Sequence, residues 1–160
     1  MGYQNIFLRA AFAHVCGDSI IAAIAGLALY ASFPPVGWWW LSVPAFALFV
    51  SRIDEARAPR ALTVTFVFGM SFWVPLIDWI PLAVGTTPPW FVLAFVQTLF
   101  LMAWVLFARW TQLWRWARGP LVQALLFALT WTGVDAARSR WPWSGFPWGS
   151  VALPQVDSPS

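Results

Sequence analysis

Apolar residues fall in five long blocks along the chain, and each block ends at a short cluster of Pro, Gly or Arg. The blocks predict helices near 18–33, 38–50, 61–80, 90–108 and 120–137. Pro34-Pro35 cannot continue the first, Gly37 precedes the second, and Ser51-Arg52 closes it. Pro120 suits the first position of the fifth. The third and fourth are long enough for a bilayer core, which needs about 20 apolar residues per helix. The first two are short. They make two complete crossings, or one hairpin that dips deeply into the membrane.

Composition turns these blocks into membrane spans. The chain is 61% hydrophobic and 9% charged, against roughly one-quarter charged residues in soluble domains. A soluble fold of 160 residues has no interior large enough to hide that apolar surface. The expected fold class is therefore an all-α membrane protein, a bundle of about five transmembrane helices. A cleaved leader is a weaker reading of the N-terminus, because Asp18 interrupts the approach to the apolar run and Leu29-Tyr30-Ala31 lacks a small-x-small cleavage pattern.

Charge supplies the orientation. The net charge of +3 is carried by arginine alone, as the chain has no lysine. With the N-terminus in the cytoplasm, the inner segments hold Arg9, then Arg52, Arg57 and Arg60, then Arg109, Arg115 and Arg118. The outer segments hold only Arg138 and Arg140. This asymmetry satisfies the positive-inside rule and places the C-terminus on the outer, periplasmic side. Basic charge of this kind reports topology, and a nucleic-acid partner is not expected. Tryptophans fit the same layout. Trp38, Trp39, Trp40, Trp79, Trp90, Trp141, Trp143 and Trp148 fall near the outer interface, and Trp110, Trp114 and Trp116 near the inner one. The heavier outer belt is either an anchor or a surface that handles lipid.

Few residues offer chemistry. Asp18, Asp78 and Asp135 lie in or beside the spans, where carboxylates are costly unless paired or wetted. Asp135 and Arg138 are three apart, share a helix face and are expected to form a structural ion pair. Asp18 is expected at the inner interface. Asp78 is read as solvated or as facing the same outer region as Arg138. His14 is the only histidine and Cys16 the only cysteine, so no metal site or Ser–His–Asp arrangement can be assembled, and no cofactor is expected. Apolar surroundings would keep the Cys16 thiol protonated and inert. A lysine-containing phosphate loop is excluded outright. Gln97, Thr98, Gln123 and Thr130 are the main polar groups within spans, and interhelical hydrogen bonds are their expected use.

Three local patterns remain. One is Phe33-Pro34-Pro35-x-Gly37 with Trp40 ahead of an apolar run. Another is the stretch from Phe68-Gly69 to Asp78-Trp79. The third is Trp131-x-x-x-Asp135-x-x-Arg138 followed by Ser144-Gly145-Phe146-Pro147-Trp148, with Gln155-Val156-Asp157-Ser158-Pro159 closing the chain. Together they resemble the membrane domain of bacterial apolipoprotein N-acyltransferases, whose third pattern reads Trp-x-x-x-Glu-x-x-Arg and Thr-Gly-Phe-Pro-Trp. Asp135 stands where that family has Glu, and Ser144 where Thr is common. Both keep the chemical type.

The resemblance implies an enzyme of the bacterial inner membrane. Such an enzyme takes an acyl chain from a phospholipid onto a Cys thioester and passes it to the N-terminal amine of a diacylated lipoprotein. It also implies a nitrilase-like outer domain bearing Cys, Glu and Lys. This chain has no lysine, and Cys16 and Glu55 are assigned to the cytoplasmic side. No catalytic residue is carried over. Residues 1–160 are therefore expected to be an N-terminal membrane part, inactive alone, with Phe146, Pro147 and Trp148 as lipid- or substrate-facing positions. The rival reading is a non-enzymatic small membrane protein, such as a transporter subunit or assembly factor.

Overall fold

The computed structural model describes residues 2–54, 56–114, 116, 119–141 and 145–157, with side chains from Val15 onward. Pro142, Trp143, Ser144, Glu55, Arg115, Arg118 and residues 158–160 lie outside the described residues, as do the side chains of Arg9 and His14. Every regular element among the described residues is helical: α1 (Gly2–Ala31), α2 (Ser42–Asp54), α3 (Ala58–Leu76), α4 (Ile80–Val84), α5 (Pro88–Gln112) and α6 (Pro120–Arg138). Short 3-10 turns lie at Trp39–Leu41 and Leu153–Asp157.

Helix boundaries follow local chemistry. α1 passes through Asp18 without a break and ends just before Pro34. The second apolar block opens as the 3-10 turn at Trp39–Leu41, so α2 begins only at Ser42. Proline stands in the first turn of α3, α4, α5 and α6, where its missing N–H costs nothing. Pro75 lies in the last turn of α3. α4 forms in a connection whose prolines suggest only loop, and Gly85 closes it with φ 78°.

α3 is the central helix, with α1, α2 and α5 packed around it; α6 lies against α5. The core contains Phe49 stacked on Phe68 at 4.0 Å, with Trp104 close by at 6.4 Å from Phe49. Phe46 of α2 reaches Trp131 of α6 edge-on at 4.8 Å, and Trp131 meets Trp104 at 4.9 Å. Aromatic contacts of this kind add to the energy of area burial. α1 and α3 approach closely because Gly26 has no side chain: a Cβ there would lie 2.5 Å from the Phe68 carbonyl oxygen.

By length and composition, α5 and α6 are each capable of crossing a membrane, and residues 15–31 form a shorter apolar helix. Only 6% of the apolar window of α6 is buried, against 39% for α5. Leu121, Leu125 and Leu129 form an exposed strip along α6.

Two ion pairs among the described residues mark opposite ends of the bundle. At one end Asp18 of α1 pairs with Arg60 of α3, and Arg109 of α5 donates to the Ile53 carbonyl of α2 at 3.0 Å. Asp18 is a buried carboxylate, and Arg60 is its partner at that end of the bundle. The other end holds the second pair and the 145–150 loop.

Candidate functional site

The last turn of α6 presents Asp135 and Arg138 on one face. Arg138 is 4% exposed, and each part of its guanidinium has a partner. Nε and Nη2 donate to Asp135 Oδ1 at 2.8 and 2.5 Å. Nη1 donates to the carbonyls of Phe146 at 3.0 Å and Trp148 at 2.7 Å. The Phe146 N–H in turn donates to the Arg138 carbonyl at 2.9 Å. The flat face of the guanidinium lies 5.1 Å from the centre of the Trp73 ring on α3, a cation–π geometry. Arginine's planar fork allows all of these contacts at once; a lysine has no equivalent.

Asp135 extends the knot. Its Oδ2 accepts from Ser150 Oγ at 3.1 Å, and its backbone carbonyl accepts from Ser139 Oγ at 2.7 Å. The loop that leaves α6 is therefore bound back onto it at residues 146, 148 and 150. Two glycines make this return possible. Gly145 has φ 75°, and a Cβ there would collide with the Ser139 carbonyl and the Arg140 nitrogen. Gly149 has φ 74° and lies directly against the Trp73 ring. Positive φ and close approach both favour glycine.

The three loop positions singled out from the sequence take different orientations. Phe146 is half-buried, packs on the core and meets Trp73 edge-on at 6.5 Å. Pro147 is exposed. Trp148 is also exposed and lies 6.1 Å from Trp79, next to α4. Asp78 is exposed and belongs to neither ion pair. Beyond the loop, Gln155 Nε2 donates to Ser42 Oγ at 2.6 Å, which fastens the Leu153–Asp157 turn to the start of α2. Trp90 Nε1 donates to the Val74 carbonyl at 2.9 Å and holds the start of α5 against α3.

Polar groups inside the helices divide in their use. Thr130 accepts from Trp104 Nε1 at 3.2 Å, an interhelical bond. Thr98 instead donates to the Ala94 carbonyl of its own helix at 2.8 Å. Two buried atoms have no hydrogen-bond partner among the described residues, Trp73 Nε1 and Gln97 Oε1. Neither was legible from the sequence, since burial without a partner is a property of packing. No group of three or more His, Cys, Asp or Glu side chains gathers as a metal site among the described residues. The arrangement can hold a loop rigidly at one end of a helical bundle and present an aromatic, apolar surface there.

Known proteins resemble this chain over most of its length. Residues 25–160 match the family model of the apolipoprotein N-acyltransferase N-terminal domain. The apolipoprotein N-acyltransferase of Mycolicibacterium smegmatis is 39% identical over 87 residues, covering 53% of this chain and 14% of that protein. The one from Pseudomonas putida is 29% identical over 149 residues, covering 88% of this chain and 29% of that protein. The one from Haemophilus influenzae is 24% identical over 165 aligned positions, covering 98% of this chain and 30% of that protein. The chain thus spans less than a third of the length of these curated relatives.

Proposed function

Because the chain belongs to the apolipoprotein N-acyltransferase family, whose N-terminal domain it carries over residues 25–160, we propose that it is the membrane part of such an enzyme. In this reading it holds lipid for transfer of an acyl chain from a phospholipid to the N-terminal amine of a diacylglyceryl-cysteine lipoprotein. The helices form a multi-pass bundle of about five spans in the bacterial inner membrane, with the N-terminus cytoplasmic. The 145–150 loop then lies at the outer surface. The arginine distribution supports this: Arg60 and Arg109 gather at one end of the bundle and the loop at the other.

The observation that carries the site reading is the double use of Arg138, which neutralises Asp135 and clamps the Phe146 and Trp148 carbonyls. A simple interface anchor needs no such clamp, since aromatic rings partition to the headgroup region unaided. A fixed loop suits a surface that must orient a substrate, because catalysis gains from prepaid orientation. Acyl transfer itself requires a nucleophile and an acid–base partner, and a chain without lysine cannot complete a Cys/Glu/Lys set. We assign that chemistry to residues beyond this stretch and positioning to these helices.

A chimaera tests the reading. Residues 25–160 replace the matching part of the Pseudomonas putida relative, and N-acylation of a diacylated lipopeptide is measured in vesicles. Activity within tenfold of the parent is expected. Loss of transfer in a chimaera that inserts and folds would overturn the proposal.

A further inference from the structure

At the end of the bundle that holds Asp18 and Arg60, a cavity of about 220 Å³ opens between α2, α5 and α6. Val50, Ile53 and Phe127 supply hydrocarbon walls, and Asp54, Arg109 and Gln112 supply polar ones. Arg109 is half-buried, and of its guanidinium donors only Nη1 is engaged among the described residues, on the Ile53 carbonyl. Asp54, the next residue along, is exposed. The two charges border one cavity, yet neither belongs to an ion pair among the described residues. Capping the end of α2 uses one donor of Arg109 and leaves the others, with the Asp54 carboxylate, turned to the solvent side. The cavity therefore presents a positive and a negative group that do not neutralise each other, which matches a ligand carrying both signs.

The apolar surroundings narrow that ligand to a lipid. Val50 and Asp54 also border a shallower groove of about 510 Å³ that follows α2 through Ala47, Phe46 and Val43. From Asp54 back to Val43 the helix spans about 16 Å, close to the roughly 15 Å of hydrocarbon in one leaflet. Polar pocket and hydrocarbon track meet at Asp54, in the order in which a phospholipid presents its headgroup and its chain. Basic pockets between membrane helices are suited to lipid headgroups, and guanidinium donors fit phosphate oxygens in pairs.

We propose that this cavity binds the headgroup of a zwitterionic phospholipid with a primary ammonium, of the phosphatidylethanolamine class. Its phosphate meets Arg109, its ammonium meets Asp54, and one acyl chain follows α2. The site lies at the end of the bundle opposite the 145–150 loop, so this lipid is a resident of the cytoplasmic leaflet and not the acyl donor. The leaflet assignment rests on the orientation proposed above; the binding does not. A net-anionic headgroup is repelled by the Asp54 carboxylate, and a choline headgroup has no N–H to donate to it. Arg52, Arg57 and Arg60 at the same end favour anionic lipid in general. A preference for the zwitterion must therefore come from the cavity itself.

The full chain, purified in a mild detergent, is titrated with phosphatidylethanolamine, phosphatidylglycerol or phosphatidylcholine of identical acyl chains, and bound lipid is read by native mass spectrometry. The ethanolamine lipid is expected to bind about tenfold more tightly than either of the others, the effect of one charge-assisted hydrogen bond. Asp54→Asn should abolish its advantage over the glycerol lipid, and Arg109→Gln should weaken the binding of all three. No preference in the unaltered chain, or a preference that survives Asp54→Asn, would overturn the proposal. Asp54 is exposed and makes no hydrogen bond among the described residues, so the test stands even where Arg109→Gln, which uncaps α2, fails to fold. Glycerophosphoethanolamine, the same headgroup without chains, should not displace the bound lipid; displacement would reject a lipid site. Binding requires no acyl transfer, so failure here with an active chimaera rejects the cavity alone. Selective binding with an inactive chimaera rejects only the acyl-transfer reading.

Discussion

The Arg138 guanidinium lies 5.1 Å from the centre of the Trp73 ring while its Nη1 holds the carbonyls of Phe146 and Trp148. One side chain thereby joins the end of α6, the core face of α3 and the returning loop. Asp135 keeps that charge neutral inside the protein, and Ser150 anchors Asp135. Removing either member of the pair leaves the other partly buried and unmatched, which is the costly way to break an ion pair.

Arg138→Lys should therefore behave as a loss rather than a conservative change. It retains the charge but gives up the fork and at least one carbonyl contact. We expect a stability loss of about 2 kcal/mol, seen as a lower Tm in detergent. In a Cys16→Ser, Trp148→Cys background, the same change should speed maleimide labelling of the loop. An unchanged Tm together with unchanged labelling would show that the clamp holds nothing.

Asp18 and Arg60 invite a double-mutant cycle. Asp18 is 7% exposed, whereas the Arg60 side chain is 35% exposed, so solvent screens the pair in part. Asp18→Asn and Arg60→Gln, singly and together, should give a coupling of about 1 kcal/mol. A coupling indistinguishable from zero would make the pair incidental.

These two pairs show what a sequence can and cannot display. Spacing alone puts Asp135 and Arg138 on one helix face, because i and i+3 positions are neighbours on any helix. Nothing local announces that Arg138 also reaches carbonyls eight and ten residues ahead, or that Asp18 meets a partner 42 residues away. The helical class is legible from apolar blocks and proline punctuation. Exact starts are less so: α1 runs far ahead of its apolar block, and α4 arises inside a proline-rich connection. Gln97 carries the same lesson. Its place within a span is visible in the sequence, but its missing partner depends on how α5 and the loop pack.

Gly17 and Gly26 separate intrinsic helix preference from packing within a single helix. A Cβ on Gly17 would meet nothing within 4 Å, so Gly17→Ala should stabilise α1 by about 0.5–1 kcal/mol. A Cβ on Gly26 would lie 2.5 Å from the Phe68 carbonyl and 2.9 Å from Ser71 Cβ. Gly26→Ala must push α1 from α3, and a net cost of about 1–3 kcal/mol is expected despite the helical gain. Thermal unfolding of the two variants side by side checks this. Equal shifts of the same sign would mean that α1 and α3 are not in close contact.

Orientation has a direct readout. In the Cys16→Ser background, Ser51→Cys and Pro147→Cys each place a thiol at an exposed position, at opposite ends of the bundle. With intact cells and an impermeant maleimide, labelling of Pro147→Cys alone is expected from the arginine asymmetry. Labelling of Ser51→Cys alone would invert the topology and move the loop to the cytoplasmic side.

Trp148 separates anchoring from substrate positioning. Its ring is 56% exposed and tilted against Trp79 at 6.1 Å, while its carbonyl is held by Arg138. Truncating the ring leaves the carbonyl clamp intact, so the loop should keep its path. A pure anchor would lose only partition energy, and the other aromatic residues at that end compensate. A ring that touches the lipid substrate would instead lower acyl transfer at unchanged membrane insertion. Trp148→Ala, made in the chimaera carrying residues 25–160, is expected to reduce N-acylation of a diacylated lipopeptide by about tenfold or more, the effect of roughly 1.4 kcal/mol lost from the transition state. Full activity at equal expression would make Trp148 an anchor and leave Phe146 as the loop residue to examine next.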